Sequence, residues 1–100
     1  MIKHIVMWRL KDNADGRGKR ESAELIKTRL ESLQGEIPGL TAIEVGIDFS
    51  ETTDSADVVL YSEFESRDAL DAYHDHPAHA AVKPLVAAAR TERRVVDYES

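Results

Sequence analysis

The feature that most constrains the fold of this chain is the order in which two hydrophobic periods follow one another. Residues 2–10 alternate, with His4, Val6 and Trp8 on one face and Lys3 and Met7 among the residues on the other. That period of two is typical of a β-strand. Over about residues 19–33 the apolar residues instead recur at helical spacing, which predicts an amphipathic helix.

The next part of the chain returns to strand-like patterns. Residues 40–49 predict a second strand, with Val45, Ile47 and Phe49 among the residues of one face. Residues 58–64 predict a third strand, and its closeness in sequence favours antiparallel pairing with the second.

The last third predicts interrupted helices and one more strand. Ser66 is placed to cap a helix that should end near His76, because proline disfavours helical geometry in the residue before it. Pro77 can begin a new helix, and Pro84 predicts a kink or a break. Residues 93–98 predict the last strand.

The resulting order, β-α-β-β-α-β, predicts an α+β fold of the ferredoxin-like type, an antiparallel sheet with helices on one face. A chain of 100 residues has room for a single domain over residues 1–100. The uncovered sheet face would carry Ile5, Met7, Val59 and Tyr61, a patch of the sort that marks an interface. We therefore expect a homodimer that packs through its sheet faces, the alternative being a monomer with some exposed apolar residues.

Charge and composition exclude several function classes. Thirteen Lys and Arg against nineteen Asp and Glu give a net charge of −6, a poor match for nucleic acid or anionic lipid. There is no cysteine, which rules out thiolate catalysis and cysteine-ligated metals. No apolar run reaches membrane-spanning length, and the strand-like start does not resemble a signal peptide, so we expect a cytoplasmic protein without membrane or nucleic-acid partners.

The residues most suited to chemistry lie between Tyr73 and His79, a segment that holds three of the four histidines. If His76 caps the helix begun by Pro77, His79 lies in its first turn, where the helix dipole favours neutral imidazole, the form a general base needs. The Tyr73 hydroxyl could hold a developing oxyanion. Asp97 is a candidate to fix the His79 tautomer. The alternative is that these histidines only cap helices and satisfy backbone groups.

Two further interpretations stay open at this point. His74, His76 and His79 with Asp75 are rich in ligand atoms, but their spacing across a proline does not match a helical pair of ligands, so we predict no metal site. Trp8 either lines a pocket that contains His4 or fills the core between sheet and helices.

Several segments together resemble the stress-responsive A/B barrel (Dabb) family. They are residues 1–11 (MIKHIVMWRLK), 37–40 (IPGL), 44–46 (EVG), 64–66 (FES), 73–79 with its His-Pro-x-His core, and 96–98 (VDY). The match spans nearly the whole chain in the right order. The resemblance implies a ferredoxin-like protomer and a homodimer whose two sheets form a dimeric α/β barrel.

The family includes stress-associated proteins of unknown activity and plant polyketide cyclases that work without a cofactor. The resemblance implies His79 as the base and Tyr73 as its partner, with His4 and Asp97 at pocket or supporting positions. The chain departs from those cyclases at Val58, where they carry a further pocket histidine, and at Trp8, which is bulkier than their aliphatic residue. Val6, Trp8, Val58 and His76 are the residues expected to bind a ligand.

Three functions follow as hypotheses, none of which needs a cofactor. The first is a homodimeric binding or stress protein whose pocket holds a small apolar or carbonyl ligand. The second is a cyclase-like or isomerase enzyme that uses His79 as general base and Tyr73 as oxyanion donor. The third is a cofactor-free monooxygenase, since related dimeric barrels include such enzymes.

Overall fold

The computed structural model describes residues 1–100 and contains six strands and four helices. The strands are β1 Ile2–Leu10, β2 Asn13–Ala14, β3 Arg17–Gly18, β4 Leu40–Ile47, β5 Val58–Phe64 and β6 Arg90–Glu99. The helices are α1 Lys19–Glu31, α2 Arg67–Asp75, α3 Pro77–Ala80 and α4 Lys83–Ala89.

The long strands form one antiparallel sheet in the order β4-β5-β1-β6. Strand β1 is central, and its even-numbered residues face the helices, where Val6 and Trp8 are buried. Together with the apolar faces of α1 and α2 they form a core of nineteen buried hydrophobic residues. This arrangement confirms the predicted ferredoxin-like α+β fold.

Local signals explain how the helical part of the chain is divided. The Ser66 side chain accepts a hydrogen bond from the Ala69 N–H at 3.1 Å and so caps α2, as predicted. His76 ends α2 and caps α3, accepting from the Ala78 N–H at 3.1 Å through its Nδ1 atom. Pro84 lies in the first turn of α4, so the predicted break falls just before it.

The structure corrects three boundaries. Between β1 and α1, where no element was predicted, lies the small β2–β3 hairpin, whose turn places Asp15 and Gly16 at positive φ. Strand β4 ends at Ile47, so Phe49 lies beyond it, with 93% of its surface exposed, and does not share a strand face with Val45 and Ile47. Strand β6 begins at Arg90, three residues before the predicted start.

None of the helices combines the length and the apolar character that crossing a membrane requires.

Candidate functional site

A cavity of about 370 Å³ lies between the helices and the covered face of the sheet. We call it the helix–sheet cavity. Strands β1, β5 and β6 and all four helices contribute residues to its wall. The lining residues are His4, Val6, Trp8, Leu30, Leu60, Tyr73, His74, His79, Val82, Lys83, Val86, Ala87, Arg90 and Arg93. Trp8 forms part of this wall and also belongs to the buried core, so it has features of both interpretations.

Tyr73 and His79 are brought together by the break between α2 and α3. Their rings stack with centroids 4.1 Å apart and planes at 28°. The His79 Nδ1 atom lies 3.4 Å from the carbonyl oxygen of His74. Because a carbonyl can only accept, Nδ1 is the donor in this contact, and the Nε2 lone pair is left free.

Burial sets the protonation states of these groups. Desolvation lowers the pKa of His79 to about 4 and outweighs the opposing effect of the His74 carbonyl. It also lowers the pKa of His74 from its usual value, with the neighbouring His4 acting in the same direction. Burial raises the pKa of the Tyr73 hydroxyl well above its usual range. At neutral pH the site therefore presents a neutral imidazole at His79 beside a protonated phenol.

The neutral His79 agrees with the expectation, but the cause differs. We expected the dipole of the following helix to favour the neutral ring, whereas α3 has only four residues and desolvation is the largest influence. The short helix α3 positions the His79 ring, and the burial of that ring lowers its pKa.

Asp97 does not orient His79, which corrects the sequence-based expectation. Its carboxylate accepts a hydrogen bond from Nδ1 of His4, the residue opposite it in the β1–β6 register. His4 is 2% exposed, and its ring lies 5.5 Å from that of His74 and 6.1 Å from that of Tyr73. Asp97 is thus a supporting residue for the buried His4.

Two buried donors in the cavity wall have no partner within the protein. They are the Tyr73 hydroxyl and the Trp8 indole N–H. An unpaired buried donor costs about 1–3 kcal/mol, so it is either a strained feature of the fold or a group that a ligand satisfies.

The structure does not bring all predicted residues to the cavity. Val58 is packed in the core opposite Trp8 and Ile47, and the His76 ring caps α3, so neither lines the cavity. Asp97, which contacts His4 from β6, does not line it either. The other five predicted residues, His4, Val6, Trp8, Tyr73 and His79, do line it. No group of three or more His, Asp or Glu side chains is placed to hold a metal ion.

Sequence analysis missed the basic part of the wall. Arg93 pairs with Trp8 in the β1–β6 register and so shares the covered face of the sheet. Lys83 and Arg90 also line the cavity. The alternation of residues 93–98 contained this signal, but using it required the register.

Comparison with known families gives a match over almost the entire chain. The sequence profile of the stress-responsive A/B barrel domain matches residues 2–100. The chain belongs to the Dabb family. A search of curated proteins gave no match.

Solved structures resemble this Dabb chain closely in fold. A dimeric ferredoxin-like protein of unknown function from Bacteroides fragilis is 32% identical, with a TM-score of 0.87 over 99% of this chain and 95% of that one. A dimeric ferredoxin-like protein of unknown function from Thermobifida fusca is 26% identical, with a TM-score of 0.85 over 99% and 90%. The hydroxynitrile lyase of Passiflora edulis is 19% identical, with a TM-score of 0.80 over 97% and 90%, and shares the fold.

Proposed function

We propose that this Dabb protein is a homodimer that binds a small, largely apolar carbonyl compound in the helix–sheet cavity. The observation that carries the proposal is the pair of unpartnered donors at Tyr73 and Trp8 in a wall where eight of fourteen residues are hydrophobic. A carbonyl oxygen accepts hydrogen bonds and brings no donor of its own, so it is the simplest group to pair with either donor.

The binding proposal can be tested with an intrinsic probe, because Trp8 is the only tryptophan of the chain. Propiophenone, a neutral phenyl ketone, is titrated against propylbenzene, which has a similar shape but no carbonyl. We expect the ketone to shift the Trp8 indole N–H resonance and to bind about tenfold more tightly than the hydrocarbon, the gain from about 1.4 kcal/mol of hydrogen bonding.

The Tyr73→Phe variant is the matched control, since it removes the hydroxyl and keeps the ring. It should reduce the preference for the ketone and leave hydrocarbon binding unchanged. Equal binding of both compounds by the wild type would show that the two donors do not recognise a carbonyl.

The homodimer is supported by the uncovered sheet face. Met7 is 45% exposed and Val96 51% exposed, and both lie on the face turned away from the helices. Two similar chains, those from Bacteroides fragilis and Thermobifida fusca, are dimeric. Sedimentation equilibrium should give twice the protomer mass of 11.2 kDa. An Ile5→Lys, Met7→Lys variant should give the protomer mass, and a wild type that is monomeric at every concentration would refute the dimer.

A second function, proton transfer without a cofactor, is favoured by the stacked Tyr73 and His79. His79 offers a neutral ring with a free Nε2 lone pair, and Tyr73 offers a hydroxyl that stays protonated. In this reaction Nε2 removes a proton from the carbon next to the ligand carbonyl. The electron pair left behind forms an enolate, whose oxygen accepts a hydrogen bond from Tyr73.

Exchange of the propiophenone α-protons in D₂O measures this step directly by NMR. We expect the wild type to accelerate exchange and His79→Gln to abolish the acceleration. Tyr73→Phe should slow it roughly 10²-fold, the usual effect of losing one oxyanion donor. A wild type that binds the ketone without exchange is a binding protein only.

A further inference from the structure

The charges around the helix–sheet cavity are distributed unlike those of the rest of the molecule. The protein has nineteen acidic residues and a net charge of −6, yet no Asp or Glu lines this cavity. Three cationic side chains do, Lys83 at the start of α4 and Arg90 and Arg93 on β6. The wall is therefore basic on an acidic protein.

The three cations are not neutralised by neighbours. None of them takes part in an ion pair, whereas Arg9, Lys19, Arg20, Lys27 and Arg67 do. Lys83 donates one hydrogen bond, to the His74 carbonyl oxygen at 2.9 Å, which anchors its ammonium group over the end of α2 and leaves two protons free.

The burial of the lining residues follows the same division as their charge. His4, Val6, Leu60 and Tyr73 are buried, whereas all three cationic residues are exposed. The wall thus runs from an apolar floor with unpartnered donors to a cationic rim. A molecule that fits both ends has an apolar body with a neutral acceptor and an anionic group at its outer end.

We propose that the helix–sheet cavity selects ligands that carry a carboxylate, which is held at the rim by Arg90, Arg93 and Lys83. The proposal rests on the proposed binding function and narrows its ligand class. Arginine favours a carboxylate because its planar guanidinium matches both oxygens, and charge-assisted hydrogen bonds are about twice as strong as neutral ones.

The test uses two compounds of similar shape that differ only at the end group, which is charged in one and neutral in the other. These are 4-oxo-4-phenylbutanoate, which has a phenyl ring, a ketone and a carboxylate, and its primary amide. Calorimetry on the wild type should show the acid binding about tenfold more tightly than the amide. Raising the salt from about 0.1 M to about 1 M shortens the screening length from about 10 Å to about 3 Å, so it should reduce this preference.

The triple variant Lys83→Gln, Arg90→Gln, Arg93→Gln should bind the acid and the amide with similar affinity. Lys83→Gln alone measures the contribution of the ammonium group. Arg93→Lys keeps the positive charge but loses the planar guanidinium, so it should retain part of the preference for the acid. Lys11→Gln is the control for the single variants, because Lys11 is an exposed cation outside the cavity wall and its loss changes the net charge by the same single unit as Lys83→Gln.

The outcomes separate this inference from the function beneath it. If propiophenone binds but acid and amide bind alike, the cavity recognises a carbonyl and the carboxylate proposal is overturned. A preference for the acid that survives the triple variant without Lys83, Arg90 and Arg93 overturns it as well. If neither the neutral ketone nor the acid binds, the binding function itself fails.

Discussion

Both faces of the central strand β1 carry apolar residues, but only the face turned towards the helices is buried. On the covered face, Val6 is 1% and Trp8 5% exposed, whereas Met7 between them is 45% exposed. Polar groups follow the same division. On the covered face the buried His4 donates to Asp97, while on the open face the partly exposed Tyr61 donates to Glu63 at 2.7 Å. The covered face is suited to holding a ligand, and the open face to holding a second protomer.

The two faces should differ most in how much the free energy of unfolding falls when a large apolar side chain is truncated. Phe64 has no exposed surface, so Phe64→Ala removes buried contacts and leaves a cavity. We expect the free energy of unfolding to fall by about 3–5 kcal/mol, which denaturant titration will measure at any protein concentration.

Met7→Ala is the matched change on the open face. It should alter the stability of a protomer by less than about 0.5 kcal/mol, as surface substitutions do. Its effect should appear as a change in how the unfolding midpoint depends on protein concentration, because it weakens association. A large loss of stability that is independent of concentration would mean that Met7 belongs to the protomer core.

This division shows what the sequence could and could not predict. The alternation of β1 and β5 and the caps at Ser66 and His76 are local signals, and the structure confirms them. The Asp15-Gly16 turn is also a local signal, of the hairpin type, and it was missed. The division between the faces depends on where the helices pack, which no single strand encodes.

The cavity was predictable only in part, for a related reason. The stacked Tyr73 and His79 are close in sequence, so their pairing follows from the short segment between them. The pairing of Asp97 with His4 and the position of Arg93 on the covered face depend on the β1–β6 register, which joins the two ends of the chain. A shift of one residue in that register would exchange the two faces of β6, which is why pattern alone could not assign them.

A smaller effect is expected from the two polar pairs. Asp97→Ala leaves the buried Nδ1 of His4 without its acceptor, which should cost about 1–3 kcal/mol of unfolding free energy. Glu63→Ala removes the partner of Tyr61 on the open face, where water replaces it, and should cost no more than about 0.5 kcal/mol in the protomer. Equal costs would show that His4 is satisfied by other means.

The smallest effect is a pH dependence of the free energy of unfolding, which arises because His79 is partly buried on the covered face. In the unfolded chain the ring takes up a proton near pH 6.5, but in the folded protein burial holds its pKa at about 4. Between these values the unfolded state binds more protons, so stability is complete above about pH 6.5 and falls as the pH drops towards 4. For a partly exposed ring we expect a loss of roughly 1–2 kcal/mol, discounted for solvent screening.

The comparison of wild type with His79→Gln isolates this contribution, because His74 titrates in both proteins. The difference in unfolding free energy between them should change by the expected amount from pH 7 to about pH 4.5 and stay constant above pH 7. If the difference does not change, the folded protein accepts the proton as readily as the unfolded chain, and His79 is then a solvated residue. In that case burial would not keep the His79 ring neutral below pH 6.5. The rate of any catalysed α-proton exchange should then fall below about pH 6.5, instead of falling only below about pH 4.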